Sequence, residues 1–114
     1  MDLEDNECLL DLQALRRQVG EGNFALRPHV MQHAVKEGFR ADDVVQVILN
    51  GKVIEEYPGR RRCLFGGEAT VEEIRVALHV VCEHAEPEAV VDIVTSYIPS
   101  EREWATPSRR RRKK

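Results

Sequence analysis

The chain has 114 residues, 42% hydrophobic and 5% aromatic, which suits one domain with a modest, mainly aliphatic core. Its net charge of −3 hides an asymmetry: the terminal run RRRRKK is +6, so residues 1–108 carry −9 (11 Lys/Arg against 20 Asp/Glu). No apolar run approaches the roughly 20 residues that span a bilayer, and the acidic opening MDLEDNE is not a signal peptide, so a cytoplasmic protein is expected. Three widely spaced cysteines, Cys8, Cys63 and Cys82, suit a reducing compartment and argue against a disulfide framework.

Residues 6–19 read as a first helix, with Leu9, Leu12, Leu15 and Val19 at helical spacing, Asn6 as a cap, and Gly20 and Gly22 as a stop. Asn23 to Leu26 reads as a short extended stretch. Pro28 then favours a helix start, because its missing N–H has no partner there anyway. A second helix runs over 28–37, with Val30, Ala34, Met31 and Val35 turned inward and Gly38 ending it. A third begins near Ala41, where Asp42 and Asp43 favour the positive N-terminal end. Val44, Val45, Ile48 and Leu49 form its buried stripe, and Gly51 closes it.

From Lys52 the period changes from 3.6 to 2. Strands are expected at 52–57, at 62–65 (broken by Gly66-Gly67), at 74–84 and at 89–98, with Pro99 as the stop. Cys63 and Cys82 fall in strands as small core residues. Strands joined by short turns, after helices, imply an α+β fold: N-terminal helices packed on a four-stranded antiparallel meander. The expected organisation is an N-terminal helix extension (1–22), the α+β domain (23–104) and a disordered basic tail (105–114). Such a tail could touch nucleic acid or a membrane, or simply be solvated.

The best chemical signal is Arg60, Arg61 and Arg62 at the mouth of a hairpin. Alternation puts Arg60 and Arg62 on one strand face and Arg61 on the other. A guanidinium holds phosphate through two parallel N–H donors, whereas Glu55 and Glu56 across the turn offer plain charge balance. Thr95 and Tyr97 share a strand face and can add hydroxyls. His29 and His33 share a helix face; the pattern HVMQH lacks the Glu of a zinc-protease helix and would need a third ligand from elsewhere. As imidazoles they can also move protons near neutral pH. Alternation sets Cys82 and His84 on one face of the third strand and His79 on the other. His79 reads as either a half-buried, hydrogen-bonded residue or a site residue. There is no P-loop and no nucleophilic triad.

The run H-x8-G-F-x3-D-V-x3-I-L-N-G-K-V-I-E-E-Y-P, from His29 to Pro58, resembles the bacterial family DUF4258. Arg62-Cys63-Leu64, Leu78-His79-Val80-Val81, Val94-Thr95-x-Tyr97-x-Pro99 and Trp104 fit it as well. That family looks like the small RNA-cleaving toxins of the RelE and barnase-like fold, whose members sit beside an antitoxin protein. The resemblance implies a metal-independent endoribonuclease with no cofactor, an RNA substrate and a cognate antitoxin partner. Carried over by position, His29 is the helix histidine, Arg62 the strand arginine and His79 the later strand histidine. Where many relatives have an arginine one turn after the first histidine, this chain has His33, which would hold phosphate only when protonated. The alternative function class is a non-enzymatic protein-interaction module on the same scaffold.

Overall fold

The computed structural model describes residues 11–100, 104–106 and 109–110. The expected Asn6 cap, Cys8 and the first residues of the first helix lie outside the described residues. The described helix α1 is Leu12–Gly20, capped by Asp11, whose carboxylate accepts from the Ala14 N–H at 3.0 Å. β1 (Phe24–Leu26) follows, then α2 (Pro28–Glu37) and α3 (Ala41–Asn50). Pro28 opens α2, and Gly38 ends it in the left-handed conformation at φ 88°, as both residues imply. The strands are β2 (Lys52–Tyr57), β3 (Arg62–Val71), β4 (Ile74–Glu83) and β5 (Val91–Tyr97), with a short hairpin of β6 (Trp104–Thr106) and β7 (Arg109–Arg110).

The class is mixed α+β, but the sheet has five strands rather than four, in the order β1-β5-β4-β3-β2. β2 to β5 form the antiparallel meander. β1 adds a parallel edge, Phe24 to Leu26 pairing with Val91 to Ile93. Three residues are too short for period-2 alternation to mark, and the pairing is set by a contact about 67 positions away in sequence. The glycine pair Gly66-Gly67 implies a break in the second meander strand; instead β3 continues to Val71. A Cβ on Gly66 would collide with Ile54, and one on Gly67 would lie 3.1 Å from Val47 of α3. The two glycines make room on both faces of one strand.

The three described helices pack on one face of the sheet. Leu15, Val19, Val30, Ala34, Val44, Val47 and Ile48 meet Cys63, Phe65, Leu78, Val80, Cys82, Val91 and Ile93 in one core. α1 is integral to it. The Arg16 guanidinium donates to the Ile48 carbonyl at 2.8 Å and the Gly51 carbonyl at 2.6 Å, closing the open end of α3 with a cation. Met31 and Val35 were expected inward but face out, Val35 at 83% exposure. The buried line of α2 is only Val30 and Ala34. In α3 the buried residues are Val44, Val47 and Ile48, with Val45 and Leu49 packed at the margin.

Two bulges shape the opposite face. In β2, Val53 pairs with Phe65 and Glu55 with Leu64, so Ile54 is the extra residue. In β5, Thr95 pairs with Val81 and Ile93 with Cys82, so Val94 is extra. Each bulge inverts the alternation beyond it. Val53, Val91 and Ile93 face the helices, while Tyr57, Thr95 and Tyr97 join Leu64 and Val81 on the helix-free side. The tail expected from residue 105 is described at 105–106 and 109–110, where it forms the β6–β7 pair. Trp104 at its start is 3% exposed and packs on Leu64, Val81 and Val94.

The β3–β4 hairpin turns at Glu72-Glu73 with φ of 49° and 71°, a two-residue turn that favours an Asn followed by a Gly. The double substitution Glu72→Asn, Glu73→Gly is expected to stabilise by about 1 kcal/mol and raise the melting temperature by roughly 4–8 °C. An unchanged or lowered Tm would show the turn is unstrained. Burial pushes the Cys63 thiol from 9.0 up to about 12, with the Glu56 charge adding to it, and burial raises Cys82 as well. Such thiols ionise more readily unfolded than folded. Their contribution is complete below pH ~9 and fades as pH climbs toward the folded value. Urea midpoints should therefore decline between pH ~9 and ~12, less steeply in Cys63→Ala; parallel declines would contradict this.

Candidate functional site

The helix-free face carries a hollow of about 490 Å³ lined by Tyr57, Gly59, Arg60, Arg62, Val81, Thr95 and Tyr97. Each comes to it for a local reason. Tyr57 is the last residue of β2, turned to this face by the Ile54 bulge. Pro58–Arg60 form a single 3-10 turn that carries Gly59 and Arg60 over the rim. Arg62 opens β3 opposite Tyr57. Thr95 and Tyr97 arrive through the Val94 bulge, side by side with Val81 and His79 of β4.

Arg60 and Arg62 therefore share the hollow, as alternation implied, although Arg60 lies in the turn and not in a strand. Arg61 is sent elsewhere. It sits at φ 51°, its Nε donates to the His84 carbonyl at 3.0 Å, and its own carbonyl accepts from the His84 N–H. This clasp ties the β2–β3 connection to the end of β4. His84, fully buried, donates from Nε2 to the Ala89 carbonyl at 2.9 Å. It is structural.

Arg62 is held by Glu83, its neighbour across β3–β4, through an ion pair whose Nε–Oε2 arm is 2.8 Å. Their side chains are 23% and 30% exposed. One strand further, Asp92 of β5 is gripped by Nε and Nη2 of Arg27, the nearer at 2.6 Å, and this pairing raises the Arg27 pKa, with Glu83 adding a smaller push. Across the sheet the two carboxylates, Glu83 and Asp92, are thus neighbours, flanked by Arg62 on one side and Arg27 on the other. Glu55 accepts a hydrogen bond from the Tyr57 hydroxyl. The acidic neighbour that matters is Glu83, which no short-range reading of the hairpin identifies.

The three candidate histidines do not converge on the hollow. His79 is wholly buried. Its ring meets Trp104 edge-on at 4.5 Å and Tyr97 at 5.3 Å, and its Nδ1 lies 3.4 Å from the Tyr97 hydroxyl. It supports Tyr97 from behind and does not line the hollow. His29 and His33 do not line it either. α2 runs along the edge of β5: the Arg27 N–H donates to the Ile93 carbonyl, His33 Nδ1 to the Ser96 carbonyl, and the Ile98 N–H to Glu37. A carbonyl only accepts, so Nδ1 of His33 carries the proton and the neutral ring has its lone pair on Nε2. His33 is thus fixed to the carbonyl between Thr95 and Tyr97. His29 is exposed one turn earlier, its ring 6.2 Å from that of His33. Among the described residues no three His, Cys, Asp or Glu side chains gather as a metal-binding group. No described helix is long and apolar enough to cross a membrane.

What this face offers is an open, aromatic-walled, hydroxyl-bearing recess with two guanidinium groups at one end. That arrangement suits a phosphorylated, ring-bearing ligand. The whole recess lies within residues 26–98, which match the family described as Domain of unknown function (DUF4258); the chain belongs to that family. Comparisons with curated proteins and with solved structures returned no match. α1, Trp104 and the β6–β7 hairpin fall outside the matched span.

Glu83 competes with any anion for Arg62. Glu83→Gln should tighten inorganic phosphate binding about three- to tenfold by calorimetry, at a cost of no more than about 1 kcal/mol in stability. Weaker or unchanged phosphate binding would show that Arg62 is not a ligand.

Proposed function

We propose that this protein is a metal-independent endoribonuclease acting on single-stranded RNA, of the kind that serves as the toxin of a toxin–antitoxin pair. The observation that carries the reading is the convergence of Arg60, Arg62, Tyr57, Thr95 and Tyr97 on one nucleotide-sized hollow. The order of helices and antiparallel strands is compatible with the RelE and barnase-like resemblance and supports it.

In this reading a base stacks on Tyr57 or Tyr97, and the neighbouring phosphate sits on Arg60 and Arg62. The ribose 2′-oxygen attacks phosphorus, the bond to the 5′-oxygen of the next nucleotide breaks, and a 2′,3′-cyclic phosphate remains. The two guanidiniums offset the charge that builds on the phosphoryl oxygens. None of the four histidines lines the hollow, so the 2′-OH proton passes to solvent water there, and His29 and His33, on the helix side of the sheet, take no part in the step. The Tyr97 hydroxyl gives a proton to the departing 5′-oxygen, and His79 acts as its positioning residue. This modifies the simplest expectation, in which His79 itself protonates the leaving group; full burial keeps its ring from substrate.

A second reading, a non-enzymatic interaction module, is favoured by one observation: Glu83 already occupies Arg62. The test is direct. Purified protein incubated with single-stranded RNA in EDTA, with and without ribosomes, should yield cyclic-phosphate ends. Arg62→Ala and Tyr97→Phe should slow cleavage about 10²- to 10³-fold, and His33→Ala should leave the rate within about twofold. Cleavage of equal rate in Arg62→Ala, or none under any condition, would sink the enzyme and leave the interaction module.

A further inference from the structure

Arg61 does not line the hollow, yet it stands between the two arginines that do. Its backbone is left-handed at φ 51°, a region that a residue with a side chain enters at a cost and keeps only where its surroundings hold it. The holding contacts come from one residue. β3 and β4 pair Cys63 with Cys82 and Arg62 with Glu83, so Arg61 and His84 stand at the next rung. The His84 N–H donates to the Arg61 carbonyl at 3.0 Å. In a regular antiparallel rung the partner's backbone N–H returns the second bond. Here the return bond comes from the side chain: the guanidinium Nε of Arg61 donates to the His84 carbonyl at 3.0 Å. The side chain thus extends the ladder by one rung where the backbone is already turning out of the sheet. His84 is a fixed post for it, wholly buried and bonded through its ring Nε2 to the Ala89 carbonyl in the loop before β5. The bend at Arg61 leads back into the 3-10 turn, so exposed Arg60 lies over the rim of the hollow instead of further along the line of β3. On its other side Arg62 opens β3 with its guanidinium held by Glu83.

We propose that Arg61 is a positioning residue for anion binding in the hollow: its Nε–H, clasped to the His84 carbonyl, sets the separation and direction of Arg60 and Arg62 so that both reach one phosphate. The proposal rests on the proposed function for the identity of the anion and adds what keeps the grip in shape. The donor is the working part of the side chain, and its charge is not. One bond from a left-handed residue to a buried neighbour fixes the end of the strand, and the end of the strand fixes where the turn delivers Arg60.

The test uses the full-length protein, with inorganic phosphate and uridine 3′-monophosphate as calorimetric probes and the melting temperature measured alongside. Arg61→Gln places an uncharged N–H donor as many bonds from the backbone as Nε, and Arg61→Met fills similar space with no donor. Arg61→Gly removes the side chain while easing the left-handed backbone. Arg61→Gln should bind both probes within about twofold of the wild type, whereas Arg61→Met and Arg61→Gly should each lose about tenfold. Arg61→Gly should melt at or above Arg61→Met, so that affinity does not follow stability. Wild-type affinity in Arg61→Gly would overturn the proposal while leaving the hollow standing, and it decides the matter even where Arg61→Met does not fold. A loss in Arg61→Gln as large as in Arg61→Gly would overturn it as well, making the Arg61 charge the part that counts. If Arg60→Gln with Arg62→Gln leaves phosphate binding untouched, or the wild type binds no phosphate, the anion grip itself fails, and the role of Arg61 falls with it.

Discussion

Two extra residues, Ile54 in β2 and Val94 in β5, decide what this sheet can present. A strand alternates strictly, so without the bulges Val53, Glu55 and Tyr57 would share one face, as would Val91, Ile93, Thr95 and Tyr97. The first half of each strand must face the helices to fill the core. The second half would then bury hydroxyls and a carboxylate under α1 to α3. Each bulge shifts the phase by one residue, so the same strand serves the core at one end and the hollow at the other. Because the two bulges sit in strands on opposite sides of β3 and β4, the re-aimed residues converge over Val81.

That constraint passes to the glycines and the aromatic stack. The bulged Ile54 leans over Gly66, where no Cβ can stand, and a Cβ there would also come within 3.8 Å of His79. His79 in turn is enclosed by Trp104 and Tyr97. A bulge, a glycine, an imidazole and an indole thus form one packed series beneath the hollow. Its members fill the space beneath the hollow with packed side chains.

Much of this was legible in the residues. Pro28, Gly38 and Gly51 mark the bounds of α2 and α3 because each has a backbone reason to be there. Strand alternation puts Arg60 and Arg62 on one side with Arg61 opposed, but it is the 3-10 turn at Pro58–Arg60 and the positive φ of Arg61 that aim these side chains. What escaped reading depends on distant pairing. β1 is a strand only because β5 accepts it, and β3 crosses Gly66-Gly67 only because Val47 and Ile54 need the space. The neighbours of His79 in sequence imply half-burial at most. Its full burial comes from Trp104, 25 positions on, which a period-2 pattern cannot register. The Glu83 pairing depends on the β3–β4 register in the same way.

The charge pattern also has a physical logic that composition conceals. Lone carboxylates beside a phosphate site would repel the ligand, yet here Glu83 and Asp92 are each joined to an arginine, Arg62 and Arg27. A paired carboxylate fixes the direction of its guanidinium at little electrostatic expense, since the pair is near neutral as seen from a few ångströms away. Arg60 stands on a solvent-facing turn at the rim of the same hollow. Under the proposed function, separating the charge that orients from the charge that attracts would let an acidic domain hold an anion. It also makes the strength of that attraction depend on salt, whereas the geometry of the recess does not.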